Sequence, residues 1–274
     1  MKTFNGKAIY NPSGKAGEYS YWACNFFTGC SNDCDYCYCK RGVMSSVWST
    51  TPKLKKCFKD EKHAFEIFKK ELKANLSELQ KHGLFFSFTT DPLLSECSDL
   101  TWEAVMMAME NDVPVKLLTK VVGVWICQII ENLNPSWRNL IAFGFTLTGH
   151  DELEPNASPN AERIKAIQLL HDAGFKTWAS IEPIIDFESS KEMIRKTAGY
   201  CDLYKIGLKS GKKYDKNELL EFIEYCNSVY ITECKAGFYR QANYFKDTLL
   251  RQAEIIRENL PTNCVGRDYN IFNT

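Results

Sequence analysis

The sequence predicts an α/β protein built on a parallel sheet. Short runs of β-branched or aromatic residues alternate six times with stretches of helical period. Because helices connect the strands, we expect parallel strands with right-handed crossovers, arranged as an open curved sheet or a partial barrel of the (βα)6 type. The chain has 274 residues, of which 45% are hydrophobic, and α/β barrels reach this length as one domain.

Strands are predicted where β-branched and aromatic residues run together: Trp22–Phe27, Leu84–Thr89, Val115–Thr119, Leu140–Thr146, Thr177–Ile181 and Leu203–Gly207. Helices are predicted where apolar residues recur every three or four positions: Lys62–His82, Leu100–Asn111, Val121–Asn132, Pro159–Ala173, Ser189–Ala198 and Lys216–Ser228. The final segment predicts one helix, Tyr239–Leu260, stopped by Pro261 and followed by an irregular tail. We expect a core over residues 1–210 and a helical C-terminal extension over 211–274, packed together as a single domain.

Charge and cysteine content limit the class of function. Lys plus Arg and Asp plus Glu both number 34, so the molecule as a whole has no electrostatic signature of nucleic-acid or membrane binding. The N-terminus, Met1–Tyr10, has no apolar signal-peptide core, and twelve cysteines suit a reducing compartment. We therefore expect a cytoplasmic protein with no membrane partner.

The most informative motif is a cysteine loop with the spacing C-x3-C-x2-C, formed by Cys30, Cys34 and Cys37. Three thiolates can hold three irons of a [4Fe–4S] cluster, which leaves one iron open to a ligand from outside the protein. Structural zinc is an alternative, with Cys39 as fourth ligand, although such sites pair two knuckles at a distance. A disulfide framework does not suit a chain of this length without a secretory signal.

With Tyr36 directly before Cys37, the loop resembles the cluster loop of the radical S-adenosylmethionine (SAM) superfamily. The lead-in is similar to that of its spore photoproduct lyase-like, "DNA repair photolyase" branch: Tyr10, Pro12, Gly14, Ala16, Glu18, Tyr19, Ala23, Asn25 and Gly29. The resemblance implies a partial TIM-like barrel and a [4Fe–4S] cluster whose open iron binds SAM. It also implies a 5′-deoxyadenosyl radical that abstracts hydrogen, and a flavodoxin- or ferredoxin-like one-electron donor.

The resemblance implies SAM contacts at strand ends. Thr89, Thr90 and Asp91 stand where many relatives carry the Gly-Gly-Glu that receives the methionyl ammonium, and their oxygens can accept its hydrogen bonds. A turn that begins a helix is the alternative for this segment. Further along the chain, a residue block resembles the same branch: Glu154-Pro155, Pro159, Arg163, Ala173-Gly174-Phe175 and Ile181-Glu182-Pro183-Ile184.

Within that second region, Thr146, Thr148 and Arg163 are implied to meet the carboxylate and ribose of SAM, because a guanidinium grips a carboxylate bidentately. The alternative for Arg163 is a solvated helix charge. The remaining implied contacts are Tyr36 beside the adenine, and Ser180 and Glu182 at the adenosine or the substrate. Lys205 either faces a carboxylate of SAM or substrate from the interior, or points outward from an edge strand.

The hydrogen-atom donor is the point where the sequence departs from the photoproduct lyases. Those enzymes carry a Cys-Thr-Ser-Asp segment whose Cys returns hydrogen to the repaired thymine, whereas this chain has Phe88 in that register. Cys97 and Cys39 are candidate catalytic replacements, although an isolated Cys is more often a core residue. Dimer repair is therefore not expected.

Three functions follow as hypotheses. The first is a radical SAM enzyme that acts on nucleic acid or a nucleotide, which a Lys-rich stretch beginning at Lys53-Leu54-Lys55-Lys56 could contact. Interspersed acidic residues favour a solvated helix face as the alternative for that stretch. The second hypothesis is radical SAM modification of a peptide or protein partner, and the third is a non-catalytic iron–sulfur or zinc binding module.

Overall fold

A computed structural model describes residues 3–46, 48–235, 241–261 and 263–273. The chain folds into two compact units. The first contains Met1–Val121, Asn132–Ala142 and Glu154–Ala157, and the second contains Val122–Glu131, Phe143–Leu153 and Ser158–Thr274. The predicted division at residue 210 stays a prediction.

The strands, in chain order, are β1 Ile9–Tyr10, β2 Ala23–Cys24, β3 Phe27–Thr28, β4 Lys53–Leu54, β5 Leu84–Phe86, β6 Val115–Thr119, β7 Ile141–Thr146, β8 Lys176–Ile184, β9 Leu203–Leu208 and β10 Ala242–Phe245. The α-helices are α1 Gly14–Gly17, α2 Glu61–Ala74, α3 Leu76–His82, α4 Ser98–Glu110, α5 Trp125–Asn132, α6 Asn160–Asp172, α7 Phe187–Thr197, α8 Lys216–Lys235 and α9 Asp247–Ala253.

Eight strands form one sheet in the order β1-β2-β5-β6-β7-β8-β9-β10, and β3 pairs with β4 in a separate ribbon. β1 is antiparallel to β2, whereas β2, β5 and β6 run parallel, as do β8, β9 and β10. Helices lie between the successive parallel strands from β5 to β9, and among the described residues the sheet does not close on itself. The α/β class and the open (βα)6 arrangement are confirmed.

The first unit buries one face of β5 and β6 beneath helices. The Phe86 ring lies 6.4 Å from that of Phe68, a fully buried residue of α2. Successive strand residues point to opposite faces, so Phe85 lies on the other face, where it stacks on Phe88 with 4.4 Å between ring centroids. Lys116 of β6 is in register with Phe85, and residues in register share a face.

The amphipathic helix α2 carries the lysines that follow the Lys-rich stretch. Its buried residues Ala64, Phe68 and Leu72 follow a helical period, while Lys62, Lys70 and Lys73 are exposed. Lys69 pairs with Glu66 one turn earlier at 2.5 Å. These contacts support a solvated helix face for the lysines of α2. The predicted helix over 62–82 is interrupted at Asn75, and α3 begins at the next residue, Leu76.

In the second unit, the fit between β7 and β8 depends on a residue without a side chain. A Cβ atom on Gly144 would lie 2.1 Å from Cε2 of Trp178. Phe143 on β7 contacts the rings of Trp125 and Phe175, at 5.6 and 5.4 Å. Aromatic packing therefore fixes the strand that carries Thr146.

The predicted helix Tyr239–Leu260 is wrong. Residues 239 and 240 lie outside the described residues, and β10 and α9 occupy most of the rest, separated by Lys246. All four residues of β10 are buried, and the strand runs parallel to β9 with Ala242 opposite Leu203. A short run buried on both faces gives no alternating pattern, so packing beside β9 overrides the local helical preference. The predicted strand Trp22–Phe27 is also two strands, β2 and β3.

The described helices include none that is long and apolar enough to cross a bilayer.

Candidate functional site

The cysteine loop begins immediately after β3 and depends on Gly29. Gly29 has a φ of +87°, and a Cβ atom there would lie 2.7 Å from the backbone oxygens of Ser49 and Thr51. Cys30 N–H then donates to the Ser49 carbonyl at 3.0 Å. Since an L side chain would both strain the backbone and collide, this position requires glycine.

Two tight turns place the three thiols in sequence. Asp33 N–H donates to the Cys30 carbonyl at 3.4 Å, and Cys37 N–H donates to the Cys34 carbonyl at 3.1 Å. The Lys40 ammonium pairs with the Asp33 carboxylate at 2.6 Å and also donates to its backbone oxygen at 2.9 Å. The ion pair ties the end of the loop to its first turn.

The loop supplies three free thiols, which are the ligand type of iron–sulfur clusters. Cys30, Cys34 and Cys37 are free thiols, and backbone N–H groups of Cys39 and Lys40 donate to the Cys37 sulfur. A hydrogen bond from the Cys39 thiol lowers the pKa of Cys37 to about 6, whereas burial raises the pKa of Cys30 to about 12. Within the described part of the chain, no three His, Cys, Asp or Glu side chains are arranged to hold a metal ion.

The buried carboxylate of Asp91 connects the cysteine loop to β6. Its Oδ2 accepts hydrogen bonds from Asn32 Nδ2 at 2.9 Å and Lys120 N–H at 2.7 Å. Its Oδ1 accepts from the Thr119 hydroxyl at 2.7 Å and from Leu93 N–H at 3.1 Å. Asp91 is 7% exposed, and these four donors fill the two lone pairs of each oxygen.

Thr89 and Thr90 lie beside Asp91 with their hydroxyls already engaged. Thr89 Oγ1 donates to the Phe27 carbonyl at 2.6 Å, and Thr90 Oγ1 lies 3.8 Å from the sulfur of Cys97. Cys97 is buried, which raises the pKa of its thiol to about 12 and keeps it neutral. Cys97 precedes the first residue of α4.

Cys39 lies next to Phe88, the residue in the register of the lyase donor Cys. Its sulfur is 3.7 Å from the Phe88 carbonyl, to which the Tyr38 hydroxyl also donates. Asn25 holds the same residue from the other side, because its Oδ1 accepts from Phe88 N–H at 2.9 Å. The structure therefore places Cys39 beside Phe88.

Tyr36 contacts two residues that the sequence analysis did not assign as site residues. Its hydroxyl donates to Glu154, and the Lys120 ammonium lies 5.5 Å from the centre of its ring. Lys120 directly follows β6. A cationic residue at the C-terminal end of a predicted strand is a sequence feature that could have identified it as a site residue.

In the second unit, Arg163 is fully buried, so the solvated-charge alternative is wrong. Its Nη1 donates to the Thr146 carbonyl at 2.6 Å, and its Nη2 lies 3.6 Å from the Asp151 carboxylate. Asn160, the first residue of α6, accepts from Thr148 N–H at 3.1 Å and donates to Asp151 at 2.6 Å. The predicted residues Thr146, Thr148 and Arg163 are thus joined in one network.

Lys205 is 8% exposed on β9, which lies between β8 and β10, so the alternative of an edge strand is wrong. Its ammonium lies 4.6 Å from the centre of the Tyr244 ring, and the Arg257 guanidinium lies 4.7 Å from the same ring. Ser180 is in register with Lys205 on the neighbouring strand and is buried. The two predicted residues therefore share a face of this unit.

Glu182 forms a two-point ion pair with Lys246, a residue that the sequence analysis missed. The Lys246 ammonium lies 3.0 and 2.9 Å from the two carboxylate oxygens, and Lys246 is 2% exposed. Gly207 makes room for the pair, because a Cβ atom there would lie 2.7 Å from Cδ of both side chains. The sequence analysis missed Lys246 because it assigned residues 239–260 to one helix, whereas Lys246 follows a strand.

His150 connects two loops of the same unit. Its Nδ1 lies 2.6 Å from Glu152 Oε1, and its Nε2 lies 2.5 Å from Asp186 Oδ2. Burial opposes protonation, but the two carboxylates outweigh it and raise the pKa of His150. Asp186 also caps α7 by accepting from Ser189 N–H at 2.8 Å.

Comparison with solved structures finds the same arrangement of elements elsewhere. A spore photoproduct lyase mutant matches with a TM-score of 0.63 and 15% identity over 90% of this chain and 81% of the other. The fold is similar to that of spore photoproduct lyase. A second mutant of that lyase, solved with bound AdoMet and dinucleoside spore photoproduct, matches with a TM-score of 0.54 and 17% identity over 80% of this chain and 63% of the other.

SuiB of Streptococcus suis, solved bound to S-adenosylmethionine, matches with a TM-score of 0.54 and 13% identity. The match covers 82% of this chain and 51% of SuiB. No family model matches the sequence, and no curated protein matches it. At these identities the likeness establishes the fold.

Proposed function

We propose that this protein is a radical SAM enzyme. The observation that carries the proposal is the C-x3-C-x2-C loop held against β6 by Asp91, in a chain whose fold is similar to that of spore photoproduct lyase. The loop motif resembles that of the same lyase family, so the sequence motif and the fold agree. The proposal is that Cys30, Cys34 and Cys37 hold a [4Fe–4S] cluster.

When bound, such a cluster supplies the electron that cleaves SAM to methionine and a 5′-deoxyadenosyl radical, which abstracts hydrogen from a substrate. Thr89 and Thr90 are the proposed acceptors for the methionyl ammonium. We assign Asp91 a positioning role, because its carboxylate already accepts four hydrogen bonds from the loop, β6 and the following turns.

The proposed contacts in the second unit are Thr146, Thr148 and Arg163 at the carboxylate and ribose of SAM. Ser180 and Glu182 are proposed to contact the adenosine or the substrate, and Lys205 a carboxylate of SAM or of the substrate. Arg163 can orient an anion, because burial keeps its guanidinium out of bulk water, where an ion pair is weak. Tyr36 is the proposed adenine contact, with Glu154 fixing its hydroxyl.

The proposed substrate is a nucleic acid or nucleotide. Spore photoproduct lyase, with a similar fold, has been solved with a dinucleoside spore photoproduct bound. Phe88 stands where that lyase carries its donor Cys, so we propose a different reaction. In it, the Cys39 thiol gives a hydrogen atom to the substrate radical, and the resulting Cys39 thiyl radical is reduced by one electron from the flavodoxin- or ferredoxin-like donor together with one proton. The Cys39 sulfur fits this role by its position 3.7 Å from the Phe88 carbonyl.

The substrate assignment is tested with deuterated oligonucleotides. Anaerobically reconstituted protein, reductant and SAM are incubated with an oligothymidylate deuterated at its sugar and methyl positions, and 5′-deoxyadenosine is analysed by mass spectrometry. Deuterium in the product is expected. Unlabelled 5′-deoxyadenosine from every oligonucleotide would contradict a nucleic-acid substrate and leave peptide modification, whereas no 5′-deoxyadenosine at all would leave a non-catalytic metal-binding module.

The donor assignment is tested with Cys39→Ala, and Cys97→Ala is the matched control. Cys39→Ala is expected to retain the iron content and the uncoupled formation of 5′-deoxyadenosine but to lose conversion of substrate. Cys97→Ala is expected to retain all three. Full conversion by Cys39→Ala would overturn the role of Cys39.

A further inference from the structure

Lys116 is a cation on the face of β5 and β6 that lies opposite α2. Along β6, the residues Val115, Leu117 and Thr119 are buried, whereas Lys116 and Leu118 are partly exposed. This alternation places Lys116 and Leu118 together on one face. The same face carries Phe85, which is in register with Lys116 on the neighbouring strand.

Lys116 makes no hydrogen bond, ion pair or ring contact with any residue in the described part of the chain. Burial alone lowers the pKa of its ammonium to about 8. The other interior lysines are partnered: Lys246 pairs with Glu182, and Lys205 lies over Tyr244. A largely desolvated cation without an anionic partner costs stability and is a common feature of binding sites.

Aromatic rings occupy the same face beside Lys116. Phe88 is half-buried and stacks on Phe85 with ring planes 22° apart, and Tyr19 meets Phe88 edge-on at 6.0 Å. Tyr19 also contacts Phe85 at 5.8 Å, which fixes the stack from the side. The partly exposed Phe88 ring is therefore held rigidly and can stack on a further planar group.

We propose that Lys116 binds a phosphate of the nucleotide substrate while a base stacks on Phe88. An aromatic ring together with a cation suits a ligand that is both planar and anionic, and a nucleotide combines these properties. This inference rests on the proposed function and names the substrate group that the face recognises. Val115 and Leu117 point toward the helices that cover the opposite face of the sheet. Lys116 is therefore the cation that β6 places on the face that carries Phe85.

The test compares a charged probe with an uncharged one. Thymidylyl-(3′→5′)-thymidine and its methyl phosphotriester differ by one negative charge, and both are titrated into the anaerobically reconstituted protein by calorimetry at pH 7. The wild-type protein is expected to bind the phosphodiester at least tenfold tighter. Lys116→Met is expected to abolish that preference, and Lys116→Arg is expected to keep most of it.

An exposed lysine of α6 provides the matched control, since Lys165→Met removes one surface charge and is expected to leave the preference unchanged. The wild-type preference is also expected to fall as the pH rises above about 8, the pKa of the Lys116 ammonium. Equal affinity of the wild-type protein for the two probes, or no measurable binding of the phosphodiester, would overturn the proposal.

The same preparations distinguish this inference from the proposed function. Formation of 5′-deoxyadenosine without any nucleotide is measured in each variant. If the wild-type protein forms none, the radical SAM proposal fails whatever the probes show. If it forms 5′-deoxyadenosine and the probes bind equally, the Lys116 assignment alone fails. A loss of SAM cleavage in Lys116→Met with an intact phosphodiester preference would assign Lys116 to SAM instead.

Discussion

Replacing Lys116 with Met is expected to stabilise the protein. Burial lowers the pKa of the folded-state ammonium from 10.5 to about 8, a difference of about 2.5 units. At about 1.4 kcal/mol per unit, the charged lysine costs at most about 3.5 kcal/mol at pH 7, and this value is an upper bound because the side chain is partly exposed. Met fills a similar volume without the charge.

The stability gain of Lys116→Met is expected to decrease as the pH rises. Below pH 8 the lysine is charged in both the folded and the unfolded chain, so the full cost is present. Between pH 8 and about 10.5 the folded chain loses its proton first, and the cost declines toward zero. The stability gain of Lys116→Met is therefore expected to be largest at pH 7 and below about 1 kcal/mol at pH 10.

Urea unfolding followed by circular dichroism measures this gain, with Lys165→Met as the control for loss of an exposed lysine. The exposed control is expected to change stability by less than about 0.5 kcal/mol at both pH values. A Lys116→Met variant that is less stable than wild type at pH 7, or whose gain is the same at pH 7 and pH 10, would refute the account of an unpaired buried ammonium.

Three further substitutions test the networks around the site. Asp91→Ala removes a buried carboxylate that accepts four hydrogen bonds, so we expect a loss of at least about 3 kcal/mol in unfolding free energy and a sharp fall in iron content after reconstitution. Gly207→Ala places a Cβ atom 2.7 Å from Cδ of both Glu182 and Lys246, so these two flexible side chains must shift, and it is expected to cost about 1 kcal/mol. His150→Ala is expected to cost about 1 kcal/mol below pH 6, and the cost should fade above the raised pKa of His150, because its protonated form is the one that Glu152 and Asp186 stabilise.

A specific result would contradict each of these three predictions. Normal iron content in Asp91→Ala would show that the cysteine loop does not need its anchor. Unchanged urea midpoints in Gly207→Ala would remove the steric argument for the ion pair. A His150→Ala effect that grows with pH would mean that the neutral imidazole is the stabilising form.

The sequence predicted the strands and helices that have a clear hydrophobic periodicity of their own. The alternation of apolar strands with amphipathic helices located β5 to β9 and the helices between them, with differences of a few residues at the ends. β10 was missed, because Ala242–Phe245 forms a strand through pairing with β9, and a short buried run does not indicate that pairing by itself.

The site residues likewise fall into those predicted from local sequence and those that depend on contacts between distant parts of the chain. The spacing of Cys30, Cys34 and Cys37 is local and predicted the loop. The anchoring role of Asp91 depends on Asn32, 59 residues away, and the partner of Glu182 lies 64 residues further along the chain. Such contacts are set by the topology of the sheet, which a single sequence pattern does not specify at the level of side chains.

Reductive cleavage of SAM is the most direct test of the central claim. The reconstituted wild-type protein, given dithionite and SAM under anaerobic conditions, is expected to form 5′-deoxyadenosine, as is Cys57→Ala, which alters an exposed thiol outside the loop. Cys34→Ala is expected to form none and to lose the visible absorbance of the cluster. Wild-type protein that contains a [4Fe–4S] cluster but forms no 5′-deoxyadenosine, or Cys34→Ala with wild-type activity, would contradict the account.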